Sequence, residues 1–319
     1  MTISSAWFRT VGGLVVSAFF LALASRHLEW TQFARALEQV SPPFLVLASG
    51  LTTTSYLLRG WRWRRIFPPP DLPTFAESFG VMLIGYAANN VLPARAGEVL
   101  RAHLLGRRLG ISRARVLATI VLERAFDALS LVVLFALAVP LLGPRLSHGR
   151  EVVGVGVVLL VGLVAMALLR NRVGRTANDP AQEDEPSAPP SRLQHFVHGL
   201  QTLGSARAAA GLMGLSLGIW LIDTASFWAT MCAFPQVRVP WGAALSASVF
   251  GNLGTLIPAG PAGVGTFELA VREVVTPWGI DASTALAMAV VIHLLQFVLT
   301  TGAGAVAWVR WNGDRTREA

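Results

Sequence analysis

Lysine is missing altogether. All 26 basic residues in the 319-residue chain are arginine. That excludes a phosphate-loop lysine, a Schiff-base lysine and a lysine general base. The single Cys232 excludes an intrachain disulfide, and no Cys/His cluster has metal-ligand spacing. No nucleotide motif is present, so ATP drive is not expected, nor is a metal or other cofactor. Charge is scarce as well: 14% of residues are charged, against about 25% in a soluble domain. The net charge of +8 and a pI of 11.3 would suit nucleic acid. Most arginines, however, flank apolar runs, as in the positive-inside pattern of membrane proteins, and no nucleic-acid partner is expected.

What the chain has in quantity is apolar length. Hydrophobic residues make up 53% of it, with a mean hydropathy of +0.55, and several runs approach the roughly 20 residues that span a bilayer. The expected fold is an all-α polytopic membrane protein, a single membrane domain over 1–319 with eight hydrophobic segments. Six are spans: 7–24, 43–58, 116–142, 151–170, 207–233 and 283–310. The first also resembles a signal peptide in its basic lead and Ala22-Leu23-Ala24 end. Residues 27–40 read as an interfacial amphipathic helix carrying Leu28, Phe33 and Leu37. Arg59 to Arg65, with Trp61 and Trp63, reads as an aromatic and cationic belt on the cytoplasmic side. Residues 171–206 read as a Pro-rich, acidic cytoplasmic linker, expected to be disordered in its middle, and His195 and His198 in its tail read as solvated. Both termini are expected in the cytoplasm, with the protein in the inner (plasma) membrane.

The remaining two segments are broken. Gly85–Arg101 holds Asn89, Asn90 and Pro93, then Arg95, Glu98 and Arg101 at helical spacing. Gly251–Glu268 is rich in glycine and holds Pro258 and Pro261. Neither makes a stable straight span, and broken backbone survives in hydrocarbon only where protein or a water-filled cavity covers it. If 74–94 crossed the membrane, one of two basic flanks would lie outside. A re-entrant hairpin keeps both inside. Because the fifth span ends outside and the last begins outside, 241–282 enters and leaves from the outside. The halves then correspond. Span starts 43 and 208, Pro93 and Pro258, and span starts 116 and 283 are offset by 165, 165 and 167. With three spans and one hairpin each, halves 1–142 and 150–313 form an inverted repeat, an arrangement that points to a transporter's binding site.

Three blocks carry a resemblance: N-x-x-P-A-R-x-G-E-x-x-R at Asn90–Arg101, E-R-x-x-D at Glu123–Asp127, and I-P-x-G-P-x-G-x-G-x-x-E at Ile257–Glu268. Over nearly the whole chain the sequence resembles the transmembrane, flippase-like domain of the lysylphosphatidylglycerol synthase/flippase family. The resemblance implies an inner-membrane protein that handles phospholipid or lipid-linked headgroups. Synthase members carry a soluble aminoacyl-transferase domain after the membrane part. Here nine residues follow Arg310, so the synthase activity is not carried over. Ala262 departs from the pattern, which has Gly there.

The candidate site residues follow from these blocks. Arg95, Glu98 and Arg101 share one side of the helix after Pro93. They read as an anion site at a helix N-terminus or as a salt-bridge ladder at the interface. Glu123, Arg124 and Asp127 lie at membrane depth, where charge is a functional hypothesis by default. They bind a cationic headgroup, relay a proton, or staple helices as a buried ion pair. Glu268 is the counterpart of Glu98 across the cavity, or an ordinary i,i+4 partner of Arg272. Asn90, Pro93, Pro258, Gly260, Gly263 and Gly265 shape the two hairpin tips. Asp223, His293 and Gln296 read as interhelical hydrogen-bonding groups. The leading expectation is a flippase-like protein and not an enzyme. The alternatives are an intramembrane enzyme acting on a lipid headgroup and a scaffold for a separate partner.

Overall fold

The computed structural model describes residues 3–26, 28–69, 71–92, 96–142, 206–255, 257 and 260–318. The expected fourth span, the linker with His195 and His198, and Pro93, Arg95 and Pro258 lie outside the described residues. Every regular element among the described residues is helical. The helices are α1 (Ile3–Ala24), α2 (Trp30–Glu38), α3 (Pro42–Ile66), α4 (Phe75–Val91), α5 (Ala96–Leu109), α6 (Arg113–Leu142), α7 (Ala206–Cys232), α8 (Trp241–Gly254), α9 (Thr266–Val275) and α10 (Ala282–Glu318). Two of them, over Arg207–Cys232 and Ala282–Gly313, are long and apolar enough to cross a membrane on composition alone.

Local chemistry sets the boundaries. Pro42 and Pro43 open α3, where the missing N–H groups cost nothing. Thr74 and Glu77 form a reciprocal capping box at the start of α4. The Asp281 side chain accepts from the Thr284 N–H at the start of α10. Residues 27–40 resolve into the shorter α2, which packs on α10; its Ala36 is buried, and Phe33 and Leu37 join the main apolar core around Phe227, Phe267 and Val271.

α4 and α5 form a helical hairpin. Arg108 near the end of α5 meets Glu77 at the start of α4, with 3.0 Å between Nε and Oε1. Nearer the tip, Gly97 lies so close to α4 that a Cβ there would overlap the carbonyl oxygen of Gly85 and the amide of Asn89. α8 and α9 form a second hairpin on the same plan. Gly242 meets Trp278 at its base, while Gly251 and Gly254 face Phe267, Val271 and Thr266 near its tip. The tip itself is tightly turned: Ala262, Gly263 and Gly265 all have positive φ, a conformation that costs an alanine but not a glycine. α1 leans on this tip, and the Ser17 hydroxyl accepts the Gly260 N–H at 2.9 Å. The arms hold 17 and 14 residues in the first hairpin and 14 and 10 in the second. At about 1.5 Å per residue, all four are shorter than a hydrocarbon core of about 30 Å.

Corresponding elements pair in the same way. α3 packs on α4 as α7 packs on α8, α5 packs on α6 as α9 packs on α10, and α3 and α7 pack extensively on each other. One expectation is corrected. The 59–65 stretch is not a surface belt as a whole, because Arg59, Arg62 and Trp63 are buried while Arg65 stays exposed. Ser55, Arg59, Arg62 and Ile66 follow helical spacing and form a buried stripe on α3.

Candidate functional site

That stripe carries a buried ionic network. Arg62 pairs with Asp127 at 2.7 Å and with Glu123 at 3.6 Å. Arg101 of α5 reaches Glu123 at 2.6 Å and stacks 4.0 Å over the Trp63 ring. Arg59 contacts Asp127 at 3.4 Å and Asp223 of α7. Arg124 pairs with Glu98 at 3.2 Å and with Asp127 at 3.8 Å. The network thus joins α3, α5, α6 and α7 through four arginines and four carboxylates, and with all eight ionised its formal charge cancels. The side chains of Arg62, Arg101 and Glu123 have no accessible surface. Charges that deep are tolerated only when paired and hydrogen-bonded. Ser216 accepts from Arg62 and Trp220 donates to Asp127, while the Nε of Arg62 and the Nε and Nη1 of Arg101 are buried without a hydrogen-bond partner among the described residues.

One edge of the network opens on a cavity of about 920 Å³ between the two hairpins. From α3 come Thr52, Tyr56 and Arg59, and from α7 Trp220 and Asp223. The first hairpin supplies Tyr86, Asn89, Asn90 and Glu98, with Arg124 beside them on α6. The second supplies Asn252, Thr255, the Gly260–Gly263 tip and Phe267, and α10 closes the far wall with His293, Gln296, Phe297 and Thr300. The two tyrosines of the chain both face this cavity, their rings 6.1 Å apart edge to face.

The site residues expected from sequence divide into two groups. Asn90, Glu98, Arg124, Gly260 and Gly263 line the cavity. Asn90 bridges the hairpin to α10, donating to Thr300 at 2.9 Å and Thr301 at 3.0 Å. Arg101, Glu123, Asp127, Gly265 and Glu268 do not line it. The expectation that Arg101 shares an anion site with Glu98 is corrected, because its side chain turns inward to Glu123. The expected headgroup or proton role of Glu123 and Asp127 meets the same geometry, since arginines already surround both carboxylates.

Glu268 is not paired with Arg272. Its Oε2 accepts the Gly265 N–H at 2.6 Å and its Oε1 lies 2.6 Å from His293 Nδ1. Arg272 instead donates to the Leu23 and Ala24 carbonyls at the end of α1. Glu268 therefore meets the cavity only through His293. Asp223 and His293 do bridge helices, as expected for interhelical groups. Gln296 makes no side-chain hydrogen bond with the described residues. Sequence reasoning missed Arg59, Arg62, Tyr56, Tyr86 and Trp220 as parts of the site. The period of the α3 stripe was the available signal for Arg59 and Arg62.

Comparison with known proteins finds membrane proteins. The family model described as "Lysylphosphatidylglycerol synthase TM region" matches residues 10–304. The chain is 29% identical over 96% of its length to a protein named Glycosyltransferase AglD from Haloferax volcanii, and it spans 55% of that protein. It is 26% identical to a UPF0104 membrane protein of Methanothermobacter thermautotrophicus, over 78% of each chain. It is 22% identical to a UPF0104 membrane protein of Methanocaldococcus jannaschii, over 68% of this chain and 91% of the other.

Proposed function

The chain belongs to the lysylphosphatidylglycerol synthase TM region family, and from that premise we propose that it is a flippase-like membrane protein whose inter-hairpin cavity takes up the headgroup of a phospholipid or other lipid-linked substrate. The observation that carries this reading is the cavity itself. Both hairpins and five other helices line a space of about 920 Å³ with mixed polar and apolar walls, within the range of small-molecule sites, in a protein whose membrane character the family shares. The matching pairs of packed elements in the two halves support the inverted repeat, with each hairpin re-entrant from its own side. On this reading the tails stay in the bilayer while the headgroup crosses between the tips, and the buried network is the rigid frame that holds the first hairpin in place. The location is the plasma membrane with both termini cytoplasmic.

The test is reconstitution of purified protein into vesicles of defined phospholipid with a headgroup-labelled lipid. Faster transbilayer movement than in protein-free vesicles supports the proposal. No effect on any lipid, with or without a pH gradient, sinks it. The name of the Haloferax volcanii relative favours a second reading, in which the same cavity presents a lipid-linked headgroup for chemical modification. Product formation by the purified protein would support that reading, and lipid movement without product supports the first.

A further inference from the structure

We propose that the headgroup this cavity takes is a sugar, carried on the lipid. This rests on the lipid-headgroup reading above and narrows it to one class of substrate. Among the described residues, the charged groups on the wall are already engaged. Arg59 contacts Asp223 and Asp127, and Arg124 contacts Glu98 and Asp127. A bare anion entering the cavity has to part an arginine from its carboxylate, and an ammonium group has to do the reverse. At the buried Arg59–Asp127 pair either exchange strands a charge.

The amide groups left over carry no charge. Asn89 uses its carbonyl oxygen to accept the Gly97 N–H, which leaves its NH₂. Asn90 spends its NH₂ on Thr300 and Thr301, which leaves its oxygen. Asn252 donates to the Ser248 carbonyl, which again leaves an oxygen. His293 uses Nδ1 on Glu268, which leaves Nε2. The Gln296 side chain makes no hydrogen bond with the described residues, so both ends of its amide are available. Among the described residues, the cavity therefore presents uncharged amide donors and acceptors from both hairpins and α10.

A hydroxyl donates and accepts at once, and a ring bearing several of them can answer such a mixed set, whereas a phosphate accepts only and an ammonium donates only. The wall also offers aromatic surface from Tyr86, Trp220, Phe267 and Phe297. The C–H faces of a pyranose can pack on such rings.

Binding to purified protein in detergent tests this with four probes: a polyisoprenyl-phosphate hexose in glucose, mannose and galactose forms, the same polyisoprenyl phosphate without sugar, lysyl-phosphatidylglycerol, and the free hexoses. A site built around hydroxyl groups discriminates strongly against the analogue lacking them, so at least one hexose lipid should bind about tenfold or more tighter than its sugar-free parent. Gln296→Ala and the similarly sized Gln296→Met break no side-chain hydrogen bond with the described residues, and each should weaken the hexose lipid about tenfold while leaving the parent unchanged. Equal affinity with and without sugar, or a preference for lysyl-phosphatidylglycerol, overturns the inference and leaves the lipid reading standing. Free hexose binding as tightly as the lipid-linked form upholds the sugar site and removes the lipid. No binding of any probe removes both.

Discussion

The two hairpins have one shape and two kinds of glue. Each brings its arms together through glycine, at Gly85 and Gly97 in the first and at Gly251 and Gly254 in the second. The first is then moored by charge: Glu77 to Arg108 within the hairpin, and Glu98 to Arg124 and Arg101 to Glu123 across to α6. The second is held by the packing of Phe267 and Val271 on Gly251, by the Ser17 hydroxyl on the Gly260 N–H, and by Glu268 shared between a backbone N–H and His293. A shape can thus be repeated without repeating the chemistry that fixes it. A buried ionic frame holds as a unit, because removing any member strands another. Aromatic and backbone contacts give way piecemeal.

The largest effect that would break this comparison belongs to Glu123. Glu123→Ala leaves Arg101 and Arg62 buried beside the gap and should cost about 3–5 kcal/mol, read as a lower unfolding temperature in detergent or a lost folded yield. The double variant Arg101→Leu with Glu123→Leu should recover part of that loss; if it falls as far as the single variant, the pair is not what moors the hairpin. Next is Gly97→Ala, whose Cβ meets the Gly85 carbonyl and should cost about 1–3 kcal/mol by overpacking, measured the same way. Glu268→Gln keeps the hydrogen-bonding shape at the second tip and loses the charge, so a smaller cost of about 1–2 kcal/mol is expected. A loss as large as that of Glu123→Ala would mean the second hairpin depends on charge as much as the first. The smallest effect has the opposite sign. Ala262 sits at φ 59°, so Ala262→Gly should raise stability by up to about 1 kcal/mol after the entropy of the added glycine is counted.

Much of this architecture was legible before the structure. The membrane class, the starts of α3, α6, α7 and α10, and the breaks near 93 and 258 all follow from hydropathy, arginine placement, proline and glycine. The departure at Ala262 marked a position whose backbone favours glycine, and the left-handed φ supplies the reason. What was not legible was the set of partners. Sequence spacing offers a charge its neighbours three and four residues away, which is how Glu268 was matched to Arg272 and Arg101 to Glu98. The structure gives Glu268 to His293, 25 positions on, and Arg101 to Glu123, 22 positions on. Such pairs depend on how helices cross, and one chain's periodicity does not encode that. Arg59 and Arg62 were hidden for a related reason: tryptophans and arginines at the end of a span look like an interfacial belt until the period of the buried face is followed past Ser55.

The central claim is that the cavity between the hairpins holds a lipid headgroup. The most direct measurement is the lipid copurifying with wild type and with Asn252→Trp, which fills the cavity from the second hairpin, quantified by native mass spectrometry on samples of matched unfolding temperature. The expected result is a defined lipid bound in stoichiometric amount to wild type and absent from the variant. The same lipid retained at the same stoichiometry by the filled cavity would contradict it.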